Sequence, residues 1–113
     1  MSVTTFKEAV LTCPSCGVTY VHQQSADQYW RSEDAVEGTH VTSSAERTTV
    51  DGDMVGNPSP RRYGLVLKFS CEACNVAPRL GIYQHKGQTF VGWLDHNEAL
   101  TVDGVPVESA LTR

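Results

Sequence analysis

The stretch Tyr63-Gly64-Leu65-Val66-Leu67-Lys68-Phe69-Ser70-Cys71-Glu72-Ala73-Cys74-Asn75 decides how the chain reads. Tyr63, Leu65, Leu67 and Phe69 occupy alternate positions, the two-residue period of a half-buried strand. That strand runs straight into a Cys-x-x-Cys pair. A second pair with the same spacing, Cys13-Pro14-Ser15-Cys16, precedes Gly17, and no cysteine is left over. Two residues between ligands let a tight turn aim both sulfurs at one ion, provided a residue tolerant of positive φ stands at or just after the second cysteine. Gly17 and Asn75 both meet that need. Two such turns brought together form a tetrahedral sulfur shell, which zinc favours. Cys13, Cys16, Cys71 and Cys74 are therefore the expected ligands of one structural zinc. Four thiolates leave the metal no open position for catalysis. Iron in the same shell, two disulfides, or a redox-active pair are the alternatives. Disulfides are rare in cytosolic chains and, inside a Cys-x-x-Cys loop, would tie no distant segments together. A redox pair usually opens a helix in a βαβ unit, whereas the flanks here are β-prone.

The pairs stand 54 residues apart, from Gly17 to Ser70, where roughly 15–20 is the common spacing. The intervening segment must carry structure of its own. Working outward, Glu8–Thr12 and Val18–His22 are β-prone and place the first pair at a hairpin tip, a zinc knuckle. Leu80–Gln84 and Thr89–Trp93 read as strands joined by the glycine-bearing connection His85-Lys86-Gly87-Gln88. Within the excursion, Ser25–Gly38 is polar and acidic, with apolar residues at loosely helical spacing, and reads as a short helix or a loop. Thr39–Val50 is rich in Thr, Ser and Val and precedes Asp51-Gly52, a turn signal with strands on both sides. The expectation is an exposed two-stranded β-arm, whose edges are suited to pairing with a second copy. Gly56-Asn57-Pro58-Ser59-Pro60 then breaks regular structure. The expected fold is mainly β: a small antiparallel zinc-ribbon-like domain over residues 1–94, with two Cys-x-x-Cys knuckles and a β-arm inserted at 24–60. Residues 95–113 form a tail, flexible or docked as a hairpin around Val102-Asp103-Gly104-Val105.

A chain of 113 residues that is 40% hydrophobic and 19% charged is large enough for a single core and too apolar for wholesale disorder. Its apolar runs are far shorter than the roughly 20 residues that span a membrane. Met1–Lys7 has neither a basic start nor an apolar stretch, so no signal peptide is expected and the location reads as cytoplasmic. The net charge of −4 argues against a nonspecific nucleic-acid binder, which carries a dominant positive field. The acidic residues nevertheless concentrate before residue 57. Arg61, Arg62, Lys68, Arg79 and Lys86 meet only Glu72 among acidic residues of the segment 61–86. Arg61 and Arg62 suit phosphate or carboxylate groups, or else pair the acidic first half within an ordered connector. Lys68 and Arg79 are placed to offset the charge of the sulfur shell. His85 and Lys86 form a solvated turn or an anion contact. His22 is the histidine best placed to support the metal ligands from behind, and none of the four histidines shows a metal-ligand spacing. Tyr83, Phe90 and Trp93 read as core rather than as a platform for stacked bases, and Asp51 and Asp53 as turn residues rather than ligands of a divalent ion.

Cys13-Pro-Ser-Cys-Gly17, Gly56-Asn-Pro-Ser-Pro-Arg-Arg62, Phe69-Ser-Cys-Glu-Ala-Cys74 and Gln84-His-Lys-Gly-Gln-Thr-Phe90, taken together, resemble the motifs of small zinc-ribbon-like proteins encoded by actinobacterial phages and prophages. The resemblance spans roughly residues 11–93. It implies a phage or prophage origin, hence the host cell cytoplasm, and a structural metal; it implies no activity. With neither a nucleophile elbow nor a phosphate-binding loop in the sequence, the chain is not expected to be an enzyme. The expected function is a non-enzymatic accessory module that binds a protein partner, such as a host factor. The alternative is a nucleic-acid-binding ribbon that uses the basic segment 61–86.

Overall fold

The computed structural model describes residues 9–94 and the backbone of 100–102 and 105–107. Six strands form one antiparallel sheet: β1 (Val21–Trp30), β2 (Thr39–Ser44), β3 (Thr48–Asp51), β4 (Gly64–Cys71), β5 (Arg79–His85) and β6 (Gln88–Trp93). Their order across the sheet is β3-β2-β1-β4-β5-β6. A separate hairpin joins β7 (Leu100–Val102) to β8 (Val105–Val107), so the Val102–Val105 turn signal does link paired strands. The rest of the C-terminal tail, and the N-terminal residues read as lacking a signal peptide, lie outside the described residues. The described residues contain no helix, and none long and apolar enough to cross a membrane.

The excursion between the cysteine pairs is the outer half of this sheet. β1 leaves the first pair, β2 and β3 fold back and forth beside it, and β4 returns along the other side of β1 to the second pair. The hairpin expected as a projecting arm continues the ladder from β1, with Tyr29 opposite His40 and Val41 opposite Val50. Ser25–Trp30, read from sequence as helix or loop, belongs to the ten-residue strand β1. Two features hide that strand. A register shift between Gln23 and Ser25 breaks its alternation, and one of its two buried positions is the carboxylate Asp27 rather than an apolar side chain. The β2–β3 turn also lies elsewhere than Asp51-Gly52. It falls at Ala45-Glu46, where Ser44 N–H donates to Arg47 O (2.9 Å) and the Ser44 hydroxyl accepts from Glu46 N–H. Asp51 and Asp53 instead end β3, each carboxylate accepting the backbone N–H two residues on. Among the described residues before the first pair, 9–12, Leu11 makes one bridge and no strand forms.

The β5–β6 hairpin matches its sequence signal: Lys86 (φ 53°) and Gly87 (φ 79°) form a two-residue turn with both residues left-handed. On one face of the sheet Phe69, Leu80 and Trp93 form the core, with Leu11, Val21, Leu67 and Val91 packed around them. Phe69 and Trp93 meet edge to face at 5.8 Å. Trp93 and Phe90 are thus buried, with Tyr83 stacked on Phe90 at 5.6 Å. Tyr63, Leu65, Leu67 and Phe69 share a face by strand alternation, but burial along it is graded, from Phe69 inside to Tyr63 at the surface. The opposite face is covered as well, since Val66 is only 1% exposed.

The outer half is held by a polar network. Asp27 accepts from Thr42 Oγ1 (2.7 Å) and His40 Nε2 (2.8 Å) and pairs with Lys68 (3.4 Å). His40 Nδ1 lies 2.8 Å from Asp51, and its ring stacks on Tyr29 at 4.4 Å. Both ring nitrogens face carboxylate oxygens, and only the doubly protonated ring donates to both. Burial disfavours that charge, yet the bonds to Asp27 and Asp51 outweigh it and hold His40 above its ordinary value of 6.5. A raised folded value stabilises the fold fully below 6.5, and the contribution is lost as pH climbs through the raised value. Thermal melts from about pH 6 to 9 are expected to show a steeper loss of stability for the wild type than for His40→Gln. Parallel curves would assign the network no such role.

Candidate metal centre

The antiparallel pairing of β1 with β4 sets Val21 opposite Cys71. The first cysteine turn immediately precedes that end of β1, and the second begins there on β4. Glu72 N–H donates to Tyr20 O (3.1 Å) and ties the two turns together. The 54-residue separation therefore costs the site nothing in geometry, because the excursion leaves and returns through one ladder. The first turn closes through Gly17 N–H to Cys13 O (3.0 Å) and Cys13 N–H to Val18 O (2.8 Å). In the second, Cys71 N–H donates to Val76 O (3.1 Å). Gly17 and Asn75 have φ of 82° and 60°, the left-handed geometry expected of both.

The four Sγ atoms lie within 4.8 Å of one another. Cys13 and Cys74 sulfurs are 3.8 Å apart and those of Cys16 and Cys71 3.5 Å, far beyond a covalent S–S bond. Thiolates arranged tetrahedrally at a zinc–sulfur distance of 2.3 Å stand about 3.8 Å apart, so the donor set fits such an ion. Cys13 and Cys71 are buried, Cys74 is half-buried and Cys16 is exposed. The sulfurs accept backbone N–H groups: Ser15 to Cys13 (3.4 Å), Val18 to Cys16, Ala73 and Cys74 to Cys71, and Val76 to Cys74. The Cys74 N–H, with that of Ala73, draws the Cys71 thiol down to about 6. The Val76 N–H favours the Cys74 thiolate, but burial and the neighbouring sulfurs overcome it and push that thiol up to about 12. Cys16 is also raised: the Val18 N–H works against the shift, and burial with the Cys71 sulfur outweighs it. The Cys71 thiolate is thus favoured while those of Cys16 and Cys74 are disfavoured; a cation held among the sulfurs would remove that resistance.

His22 does not touch a sulfur. Its Nε2 lies 2.6 Å from Glu72 Oε2, bracing the residue that follows Cys71. Lys68 pairs with Asp27 rather than with the cluster, and Arg79 stands opposite Lys68 in the β4–β5 ladder. The basic residues do not form one surface. Arg61 grips Asp34 with two bonds (2.7 and 2.8 Å) and lies 3.7 Å from Glu33, which accounts for its charge. Arg61, Arg62 and Lys86 gather at the end of the sheet away from the sulfurs, beside His85. The loop carrying the two arginines is an ordered connector. The buried Ser59 hydroxyl donates to Gln84 O (2.6 Å) and accepts from Arg61 and Arg62 N–H, while Asn57 bonds Ser59 N–H and Arg62 O. Sequence reading missed the His40 network, because its partners come from three strands and follow no spacing rule.

Comparison with protein-family models, with curated proteins and with solved structures finds no match to this chain. The sulfur cluster makes a direct prediction. Titration with Co²⁺ is expected to saturate at one equivalent per chain, with intense thiolate charge-transfer absorption. Cys71→Ser should lose that spectrum; an unchanged spectrum would remove Cys71 from the ligand set.

Proposed function

We propose that the chain is a non-enzymatic accessory module whose sheet is clamped by one structural zinc on Cys13, Cys16, Cys71 and Cys74, and which binds a protein partner. The convergence of four sulfurs from both ends of the excursion carries this reading: a closed thiolate shell leaves a metal no position for substrate and makes it a structural element. Zinc is preferred to iron because it binds such a shell as a mononuclear, redox-inert ion. The fold is then zinc-ribbon-like, with each Cys-x-x-Cys turn a knuckle. Structural zinc contributes roughly 10–16 kcal/mol of apparent binding free energy in small peptides, comparable with the whole stability of a typical domain, about 5–15 kcal/mol. The motifs resembling phage-borne proteins make a host factor the natural partner.

The partner surface we assign is the β3 edge with its flanking loops. All four β3 residues are exposed, and the strand offers one unpaired side to an incoming chain. Val50 (66% exposed), Val36 (88%) and Val55 (92%) are apolar there and left open by the described residues. The loops carrying Val36 and Val55 meet, since a Cβ on Gly38 would press on Met54 Sδ.

Two measurements test the reading. Elemental analysis of natively purified protein is expected to return one zinc per chain, and chelation should lower the melting temperature sharply; an unchanged melt would sink the clamp. Val50→Lys should abolish retention of a host protein on the immobilised full chain at unchanged zinc content. Equal retention by both proteins would remove the β3 edge as the docking surface.

A further inference from the structure

Two segments distant in sequence, the Ser59–Arg62 turn and the His85–Gly87 hairpin tip, enclose a cleft of about 180 Å³ at the end of the sheet opposite the sulfurs. Arg62 Nε and His85 Nδ1 are both buried without a hydrogen-bond partner, and both residues line this cleft. Buried polar atoms are normally paired, and leaving one unmade costs roughly 1–3 kcal/mol. Lys86 adds a third basic group, held at the mouth by the left-handed turn. The one carboxylate lining the cleft, Glu33, lies 3.7 Å from Arg61. No carboxylate among the described residues pairs with Arg62 or Lys86. The cleft therefore presents a net positive charge on a chain whose overall charge is −4.

Beside it lies an apolar groove of about 330 Å³ on the sheet face, lined by Gln28, Trp30, Tyr63, Leu65, Ile82 and Gln84. Gln84 lines both hollows, and Arg62 of the cleft lies over the Tyr63 ring of the groove at 4.7 Å, so the two adjoin. Trp30 is 49% exposed and tilts against Tyr63 at 5.1 Å, an aromatic pair facing solvent. The glutamines are partly committed in a complementary way. Gln28 Oε1 accepts from Trp30 Nε1 (3.1 Å), which leaves its amide N–H groups to donate. Gln84 Nε2 donates to Thr89 Oγ1 (2.5 Å), which leaves its carbonyl oxygen to accept.

An aromatic wall, a donor and an acceptor amide, and an adjoining pocket of cationic groups match a planar heteroaromatic ring joined to a phosphate. We propose that these hollows are a binding site for a free mononucleotide, the base against Trp30 and Tyr63 and the phosphate between Arg62, His85 and Lys86. A long strand fits less well. The remaining surface is acidic, Arg61 and Lys68 are already paired with carboxylates, and polyanion binding draws on many cations together. The groove, about 330 Å³, lies at the lower end of the range for small-ligand pockets, about 300–1,000 Å³, and the smaller cleft of about 180 Å³ adjoins it. The site shares no residue with the sulfur cluster or with β3.

The test uses the full metal-loaded chain and calorimetric titration with the four nucleoside 5′-monophosphates, the matching nucleosides, inorganic phosphate and a thymidine decanucleotide. At least one monophosphate is expected to bind saturably, with its nucleoside and inorganic phosphate each at least tenfold weaker. The decanucleotide should bind within threefold of the mononucleotide. Arg62→Gln and Trp30→Ala should each weaken binding at least tenfold. Lys86→Asn keeps a residue that tolerates positive φ and guards against a folding artefact; it should weaken binding severalfold at unchanged melting temperature and metal content. Arg47→Gln, in the β2–β3 turn, should leave binding unaltered. Absence of saturable binding at millimolar monophosphate, equal affinity of Lys86→Asn, or a decanucleotide bound tenfold more tightly than any monophosphate would each overturn the assignment.

Discussion

Everything in the molecule is organised by the meeting of four sulfurs at one end of the β1–β4 ladder. With four sulfurs within 4.8 Å of one another, each thiolate raises the cost of the next, and burial with the neighbouring sulfurs pushes the Cys74 thiol up while backbone N–H groups draw Cys71 down. The backbone supplies part of the answer by turning N–H groups toward sulfur from Ser15, Val18, Ala73, Cys74 and Val76. Those dipoles lower the cost of negative charge but add up to less than a full positive charge. A cation held by the four sulfurs, as proposed, would complete the balance.

The inner half of the sheet was legible because its signals are local. The Cys-x-x-Cys spacing, the need for left-handed residues at Gly17 and Asn75, the Leu65–Phe69 alternation and the Lys86-Gly87 turn each depend on a few neighbouring residues. The outer half was misread where burial is polar. Asp27 is an inward position of β1 that no hydrophobic pattern marks, and the β2–β3 turn rests on the Ser44 hydroxyl rather than on glycine. Asp51-Gly52 looked like the hairpin turn because Asp-Gly is a frequent turn pair; here the aspartate caps a strand end and holds His40. In the candidate sites the cysteines were readable as a set. The gathering of Arg62 with His85 and Lys86 was not, since it arises from Ser59 reaching across to Gln84 O.

The sheet also explains why its two ends differ in chemistry. At the sulfur end, Leu11 and Val21 fold over Phe69, Leu80 and Trp93 and close the face. Along the same face toward the other end, the rows through Gln28, Leu65 and Ile82, then Trp30, Tyr63 and Gln84, receive no such cover from the described residues. One continuous apolar face is thus half core and half groove. The Asn57–Arg62 loop, fixed by buried hydrogen bonds rather than by apolar packing, sets basic residues at the rim of the open half.

This division implies unequal stability across the ladder. The strands β1, β4, β5 and β6 share the aromatic core, so opening them exposes large apolar area. The β2–β3 hairpin has little to lose in that currency: every residue of β3 is exposed, and its cohesion comes from backbone pairing and the Asp27–His40–Asp51 chain. Elements held by exposed hydrogen bonds and few apolar contacts open first. The outer hairpin can therefore separate from β2 outward while the aromatic core persists, and the strand that opens most easily is the one proposed to meet a partner. β2 stands between that edge and β1, and the cysteine turns are joined by the β1–β4 ladder with its eight paired positions, so opening of the outer hairpin leaves the ladder that brings the four sulfurs together intact.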